Sequence, residues 1–452
     1  MGEELSIEEL AKRTGEPVGH LRKWRSLGLI GREGGDGFTT EDVERVRLVQ
    51  LFLRRGISLE AIGQTAGRGL LDRFAEMLSP TGTGPTYSVP EAAEILGLDP
   101  DLVRRVWAAP GYLEQGDVVS EEDLEGLRLL RGAMEAGFPE EALIQFVRVY
   151  SDALGRVAET EARLFHFYIH EGLKARGLSG PELREASSGA GDRATSLVEP
   201  VVLFFHRRAW QRALREIAAV QVAEESGLLK KGELFGQLQA AIAFVDLCSF
   251  TPLADAMGDA AAAQVLERFS ALVREAAGRW EGRLTKQIGD AFMLVFPEPR
   301  SAVAWALEIE ERTAAEPQFP AVRSGVHWGT VLYRDGDYVG SNVNIASRLA
   351  AEAERHQVLV TAEVSREARG LAEVDFVPLG KRQLKGLADE LELFEARTRA
   401  VETTPKLVDP VCGMELSPAE VAAKLALEGK ERVFCSEECL RRFVATPERY
   451  SP

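Results

Sequence analysis

The sequence has few cysteines and lacks the long apolar runs of membrane proteins. It contains four cysteines in 452 residues, and three of them lie between Cys412 and Cys439, which argues against the disulfide framework of a secreted protein. The apolar run Val201–Phe205 is followed at once by His206 and Arg207, far short of the about 20 residues of a membrane helix. The acidic amino terminus also lacks a signal-peptide core. We therefore expect a cytoplasmic protein without a membrane partner.

An excess of positive charge is absent as well. Against 71 acidic residues there are 54 lysines and arginines, which gives a formal net charge of −17. A protein of this charge is a poor match for nucleic acid or anionic lipid over its whole surface. An apolar content of 45% is ordinary for globular domains, and the length predicts several of them. The predicted class is multidomain α+β.

Two carboxylates stand at the ends of apolar strands in the second half of the chain. AAIAFVDL is typical of a buried strand and ends near Asp246, before a new helix start. GRLTKQIGDAFMLVF predicts two strands joined at Gly289 and Asp290. Either aspartate alone would be an ordinary strand-end or turn residue. Together they can share two Mg²⁺ or Mn²⁺ ions, which activate a hydroxyl and neutralise a triphosphate.

A helix with phosphate-binding capacity follows. In VNIASRLAAEAE, Asn344 and Arg348 are four residues apart and share one face. Arg348 can bind phosphate oxygens with two parallel hydrogen bonds, and Asn344 can orient a ribose. The simpler alternative is the polar face of a surface helix.

In order and spacing, these segments resemble the catalytic domain of class III nucleotidyl cyclases from about Gln237 to Thr398. The resemblance implies a ferredoxin-like α/β domain, placed at residues 233–400. In this family the metal aspartates come from one subunit and the other site residues from its partner, so the chain is expected to form a homodimer. The roles implied are metal binding by Asp246 and Asp290, ribose and α-phosphate binding by Asn344 and Arg348, and triphosphate binding by Lys385.

The resemblance also implies the substrate. Lys286 lies four residues before Asp290, and Asp337 lies seven before Asn344, as does the purine-reading pair of adenylate cyclases. Lysine can donate to adenine N1 and aspartate can accept from the N6 amino group, whereas guanylate cyclases typically carry Glu and Cys. The implied reaction converts ATP to 3′,5′-cyclic AMP and pyrophosphate.

The amino-terminal part contains a repeat, with copies at residues 1–78 and 86–150. Each copy predicts a helix, a turn at Gly15 or Gly97, a second helix, a short wing and a longer amphipathic helix. The segments that align are Ser6–Trp24 with Ser88–Val106, and Thr40–Ile62 with Glu121–Leu143.

The first copy resembles MerR-type winged helix-turn-helix domains, with AKRTGEPVGHLRKWRSLGLI at the turn and recognition helix and REGGDGF at the wing. Residues 1–56 hold ten acidic and ten basic residues, so DNA contact through Arg22, Lys23 and Arg25 stays open beside a purely regulatory role. Residues 88–137 hold eleven acidic and four basic residues, which favours packing or dimerisation for the second copy.

Residues 151–232 are predicted to form a helical regulatory connector, broken at the Gly/Ser-rich segment Ser187–Ser196. His166 and His170 lie one turn apart and suit a metal pair or a pH sensor. The default interpretation is that they border an apolar helix contact.

The last segment, residues 405–452, is expected to be a separate small module. DPVCGMEL and VFCSEECLRRFVATPERY resemble the YHS family, a treble-clef-like metal-associated domain. Three thiolates from Cys412, Cys435 and Cys439 suit Zn²⁺ or another soft ion, with the fourth ligand unidentified. Metal would help so small a core to fold, and three structural thiols without metal are the alternative. Cys248 is expected to be a packed side chain.

The sequence thus predicts an adenylate cyclase regulated by its terminal domains. The rival interpretation is a MerR-type transcription regulator with a cyclase-like nucleotide-sensing module. Because no residue of the expected catalytic set is missing, the enzyme is favoured.

Overall fold

The computed structural model describes residues 5–31, 37–66, 70–78, 86–110, 118–227, 236–399, 406–427 and 429–450. The chain divides into two compact units, Met1–Ser196 and Leu197–Pro452. None of the helices in the described ranges combines the length and the apolarity that a membrane span requires.

The first repeat consists of helices. Ser6 begins the first of them through a capping box with Glu9, and Gly15 ends it in the left-handed conformation. A bridge between Leu5 and Phe38, the last residue of the predicted wing, closes the fold, while residues 32–36 of that wing lie outside the described residues. The helices are α1 (Ile7–Thr14), α2 (Val18–Ser26), α3 (Thr40–Arg54), α4 (Leu59–Ala66) and α5 (Leu70–Leu78).

The second repeat has the same order of elements. Ser88 and Glu91 form the capping box, and Gly97 takes the place of Gly15 with φ +63°. Where the first repeat has a single bridge between Leu5 and Phe38, the second repeat has a two-stranded ladder, in which Ser88 pairs with Val118. The elements are β1 (Thr86–Ser88), α6 (Val89–Leu96), α7 (Pro100–Ala108), β2 (Val118–Ser120) and α8 (Glu121–Glu135).

The connector is more regular than the sequence predicts. It comprises α9 (Glu140–Leu164), a π-helical turn (Phe165–His170), α10 (Glu171–Ala175) and α11 (Gly180–Glu225). The break expected at Ser187–Ser196 is wrong, because α11 continues through it. Packing offsets the helix cost of glycine and serine, since Ser187 is fully buried and lies 3.1 Å from His170 Nδ1.

A mixed sheet forms the centre of the second unit. The elements are β3 (Gln237–Leu247), α12 (Phe250–Met257), α13 (Asp259–Arg279), β4 (Arg283–Ile288), β5 (Ala291–Phe296), α14 (Pro299–Ala315), β6 (Phe319–Pro320), β7 (Val322–Arg334), β8 (Asp337–Val339), α15 (Ser341–Glu352), β9 (Val358–Thr361), α16 (Ala362–Glu367), β10 (Val374–Arg382) and β11 (Leu391–Thr398). The strand order of the sheet is β10-β11-β9-β7-β3-β5-β4, with β8 paired to β7. Strands β7 and β9 run parallel, and the other ladders of the sheet are antiparallel.

The central strand β3 is buried on both faces. Its odd-numbered residues, such as Ala243, pack with α13 and α14, and its even-numbered residues, such as Ile242, pack with α15. Helix α15 lies very close to β7, since a Cβ on Gly325 would stand 2.2 Å from Ala350 N. Strands β4, β5, β3 and β7, with α13 and α14, have the ferredoxin-like order.

The C-terminal module, residues 406–450, differs from the expected separate body. Its buried side chains, among them Cys412 and Phe443, belong to the same apolar cluster as Leu247 and Leu253. So small a segment buries too little surface alone, and sharing a core with the sheet domain compensates. Its elements are β12 (Leu407–Val408), β13 (Met414–Leu416), β14 (Ala423–Leu427), β15 (Lys430–Phe434) and α17 (Glu437–Ala445).

Candidate functional site

Asp246 and Asp290 lie side by side in the structure. Asp246 is the penultimate residue of β3, and Asp290 lies in the two-residue turn between β4 and β5. The pairing of Val245 with Phe292 brings the strand end next to the turn. Burial and the negative charge of Asp246 raise the pKa of Asp290 to about 6. Two half-buried carboxylates that repel each other form a donor set suited to a hard divalent cation.

Sequence reasoning missed the partner of Asp246. Arg323 stands opposite Asp246 in the ladder between β3 and β7. Its Nε and Nη2 donate to Asp246 Oδ2 at 3.1 and 2.7 Å, and its Nη1 donates to Ala351 O at 3.1 Å. The arginine thereby fixes the orientation of the carboxylate. Only the strand register identifies it, because no local motif surrounds it.

The loop after Asp246 leads into a helix N-terminus. Cys248 N donates to Ala321 O at 2.8 Å, and Ser249 has a left-handed backbone with φ +64°. Helix α12 begins at the next residue, so its first amides lie close to the carboxylate pair and can bind phosphate oxygens. Cys248 is buried in this loop, which agrees with a packing role.

The predicted purine-reading side chains contact each other. Lys286 Nζ on β4 donates to Asp337 Oδ2 on β8, and each side chain is 35% exposed. Tyr338 N donates to the other oxygen of Asp337 at 2.8 Å, which holds that carboxylate in place. A cationic donor and an anionic acceptor therefore stand together at a partly open position. Such a pair can donate one hydrogen bond and accept another at the same position.

Asn344 and Arg348 lie on the exposed side of α15. The opposite side of this helix buries Val343, Ala346 and Leu349. Neither polar side chain has a hydrogen-bond or ion-pair partner within the described part of the chain. No hydrogen bond or ion pair in the described part of the chain therefore joins either side chain to Asp246 or Asp290.

The remaining predicted residues are exposed to different degrees. Lys385 is exposed in the segment after β10 and follows the buried Leu384. On α2, Arg22 and Lys23 are exposed, whereas the guanidinium of Arg25 lies 4.9 Å from the centre of the Phe38 ring. The basic residues of α2 therefore do not all face solvent.

The three C-terminal thiols converge. Cys435 Sγ lies 3.5 Å from Cys412 Sγ and 3.6 Å from Cys439 Sγ. The thiols of Cys412 and Cys435 lower the pKa of Cys439 through hydrogen bonds, whereas hydrogen bonds to Cys435 and Cys439, together with burial, raise the pKa of Cys412. The three sulfurs therefore lie close enough together to bind one metal ion.

Asp409 completes this group. It is fully buried, and its carboxylate and the three sulfurs offer ligand atoms within 4.8 Å of one another. Its oxygens also accept from Val411 N and Cys435 N, both at 2.8 Å. Within the described ranges this is the only cluster of metal-binding residue types with such spacing. The donor set suits a soft cation, and the burial of Asp409 could not be read from the sequence.

Three protein families match the chain. Residues 237–396 match the "Adenylate and Guanylate cyclase catalytic domain", residues 32–208 the "Adenylate cyclase regulatory domain", and residues 407–452 the "YHS domain". The first match covers the sheet with Asp246 and Asp290, and the last covers the thiol cluster.

Curated relatives extend over most of the chain. A pH-sensitive adenylate cyclase of Mycobacterium tuberculosis is 30% identical over 388 residues, covering 83% of this chain and 92% of the relative. An adenylate cyclase of Streptomyces coelicolor is 28% identical over 291 residues, covering 63% and 69%. Among solved structures, the adenylyl cyclase CyaB of P. aeruginosa aligns with 37% of this chain and 98% of its own, at 17% identity and a TM-score of 0.33. The predicted enzyme class is confirmed by the curated relatives and the catalytic-domain match, and the chain belongs to the class III adenylate cyclases.

Proposed function

We propose that the chain converts ATP to 3′,5′-cyclic AMP and pyrophosphate in a homodimer with two equivalent sites. The ribose 3′-hydroxyl attacks the α-phosphate in line, and pyrophosphate leaves. The observation that carries the proposal is the adjacent pair Asp246 and Asp290, held at a strand end beside the N-terminus of α12.

Asp246 and Asp290 are proposed to hold two Mg²⁺ or Mn²⁺ ions. When bound, the ions activate the hydroxyl and neutralise charge on the triphosphate. Both bonds from Arg323 go to Oδ2 of Asp246 and would hold this carboxylate in place for a cation. Asp290 must lose its proton before it can coordinate a cation, which the raised pKa makes dependent on pH.

Lys286 and Asp337 are proposed to read the purine. In the nucleotide complex the lysine donates to N1 and the aspartate accepts from the N6 amino group, replacing their mutual contact. Guanine would set a donor against Lys286 and an acceptor against Asp337. A site with such mismatched polar groups rejects the wrong base strongly.

Asn344 and Arg348 are proposed to act at the site of the partner subunit. Both lie exposed on α15 without a partner in the described part of the chain, as residues that serve another chain would. Arg348 would stabilise charge on the α-phosphate, Asn344 would orient the ribose, and Lys385 would bind the triphosphate.

Complementation between inactive variants tests this function. Asp290→Ala and Arg348→Ala should each abolish cyclic AMP formation, since each homodimer loses a required group from both sites. A mixture of the two should regain activity, because one of the two sites in a heterodimer is intact. Asp259→Ala, at an exposed position on α13, is the control and should stay active. A mixture that stays inactive although the chains exchange would contradict the shared site.

Specificity is tested separately. Replacing Lys286 by Glu and Asp337 by Cys together should shift the preference from ATP toward GTP. Equal turnover of both nucleotides by the unchanged protein would contradict the assignment of the pair.

The terminal regions are proposed to be regulatory. Zn²⁺ or another soft ion would bind at Cys412, Cys435 and Cys439 and hold that module together. Absence of metal after anaerobic purification, with no uptake of Zn²⁺ or Cu⁺, would contradict this.

Any DNA contact would use Arg22, Lys23 and Arg25 and should weaken steeply as salt rises. Binding that survives the loss of all three would contradict that assignment.

A further inference from the structure

A strand of the C-terminal module pairs with the segment that contacts the loop carrying Asp246. We call residues 246–249, which comprise the last two residues of β3 and the two residues before α12, the metal loop. Strand β13 pairs with β6, with Glu415 opposite Phe319. The residue after β6, Ala321, accepts the backbone bond from Cys248 in the metal loop. The module and the metal loop therefore use the same short segment of chain.

Gly413 of the module lies against Ser249 of the metal loop. A Cβ built on Gly413 would stand 2.4 Å from Ser249 Cβ and 2.8 Å from Ser249 Oγ, distances that force one backbone to move. Arg355 Nη2 donates to Gly413 O at 2.9 Å and to Glu415 Oε1 at 3.2 Å, which holds the turn against the sheet domain. Ser249 itself has φ +64°, a conformation that persists only where its surroundings impose it.

The module also contacts the other end of α12. Arg442 Nη1 donates to Asp255 O at 2.7 Å, and Arg449 Nη2 lies 3.3 Å from Asp255 Oδ2. Helix α12 has eight residues, and a helix of this length is not stable without tertiary contacts. Both of its ends are thus in contact with the C-terminal module.

We infer that the C-terminal module positions the metal loop and α12 for catalysis, with Gly413 and Arg442 as positioning residues. The inference rests on the proposed metal role of Asp246, which lies three residues before Ser249. Displacing Ser249 shifts the loop that carries the carboxylate and the first amides of α12. A displacement of about 1 Å at such a site can reduce turnover about a hundredfold.

Gly413→Ala tests the first contact. It should reduce kcat/KM for ATP about tenfold to a hundredfold and raise the Mg²⁺ concentration needed for half-maximal rate. Gly429→Ala is the matched control, because Gly429 has a similar φ of +78° in the same module but no atom within 4 Å of an added Cβ. The control carries the same backbone strain and should keep its Mg²⁺ dependence.

A compensating substitution separates positioning from misfolding. Ser249→Gly removes the Cβ and Oγ that the added methyl would strike, and glycine accepts the left-handed conformation at this position. In the Ser249→Gly background, Gly413→Ala should therefore change kcat/KM and the Mg²⁺ dependence less than threefold. An equally large loss in both backgrounds would overturn the inference.

The second contact is tested on α17. Arg442→Ala should raise the half-saturating Mg²⁺ concentration, and Arg442→Lys should restore most of it, since one donor to Asp255 O suffices. Arg441→Ala is the control, because Arg441 is largely exposed and pairs with Glu438 on its own helix. Equal kinetics for the alanine variants of both arginines would count against this contact.

The outcomes distinguish failure of the proposed metal site from failure of the positioning role. If Asp290→Ala remains active, the proposed metal site itself is wrong. If Asp290→Ala is inactive but Gly413→Ala behaves like Gly429→Ala, the metal site stands and the positioning role fails.

Discussion

The amino-terminal repeats and the C-terminal module look equally separate in the sequence but differ in how they are held. The first repeat buries its own cluster around Trp24 and Phe38, with every member between residues 5 and 75. The second repeat has its own cluster around Leu102 and Val119. The C-terminal module instead places Phe434 and other buried side chains in the cluster of the catalytic sheet. A sequence motif can therefore mark a family segment without marking an independent core.

The difference follows from size and strand pairing. The module adds β13 to β6, so its backbone hydrogen bonds also depend on the catalytic domain. Charged contacts reinforce the join, since the buried Glu415 bonds His356 Nε2 at 2.7 Å and Arg355 Nη2 at 3.2 Å. These contacts hold β13 of the C-terminal module against the catalytic domain.

Deleting each region should give the largest contrast. Removing residues 406–452 uncovers Leu247, Leu253 and their neighbours in the shared cluster, so we expect loss of cyclase activity and aggregation. Removing residues 1–78 takes away a closed cluster and should leave the thermal transition of the catalytic domain in place. Calorimetry and cyclic AMP assays on both truncated proteins measure this. An active, well-folded protein without residues 406–452 would break the comparison.

Single core substitutions should also have different effects in the two regions. Phe443→Ala should cost about 3–5 kcal/mol and Leu10→Ala about 2–5 kcal/mol, because both side chains are fully buried. The first should lower the melting temperature of the catalytic domain, and the second only that of the first repeat. Differential scanning calorimetry with and without an ATP analogue assigns the transitions. A catalytic transition unaffected by Phe443→Ala would contradict the shared core.

The contacts of His356 should make the stability of the catalytic domain depend on pH, with a smaller effect than the core substitutions. Hydrogen bonds to Glu310, on α14 of the catalytic domain, and to Glu415, on β13 of the module, raise the pKa of His356 to about 9 from its usual 6.5. The protonated form is favoured on folding, so its stabilisation, which includes both contacts, is complete below pH 6.5 and is lost as pH rises through 9. Allowing for partial exposure, we expect a loss of roughly 2 kcal/mol, measured by urea unfolding of the catalytic domain.

His356→Gln provides the control for this titration. The amide does not titrate, so the variant should begin less stable and lose little more across the same range of pH. A wild-type stability that is flat between pH 6.5 and 9 would show that the His356 contacts do not hold the module.

Local patterns predicted the parts of the site that depend on local structure. The apolar strand before Asp246 and the turn at Gly289 place both carboxylates, and helical spacing puts Asn344 and Arg348 on one face. Each of these features depends on a few neighbouring residues.

The remaining features depend on packing between distant segments. Arg323 reaches Asp246 only through the register of β3 and β7, and the approach of Gly413 to Ser249 joins residues more than a hundred positions apart. The continuity of α11 through Ser187 was missed because helix propensity takes no account of its buried contact with His170. Strand register and burial are properties of the folded chain.

Native-state hydrogen exchange on the full-length protein tests the central claim, that the C-terminal module and the catalytic sheet form one cooperative unit. The account predicts that amides of β13 and α17 open with the same free energy as those of β3 and β7, and that destabilisation by Phe443→Ala lowers all four together. Amides of α1 and α2 should be unaffected by that substitution. If β13 and α17 exchange by a separate opening while β3 and β7 stay protected, the module is an independent attachment and the claim is wrong.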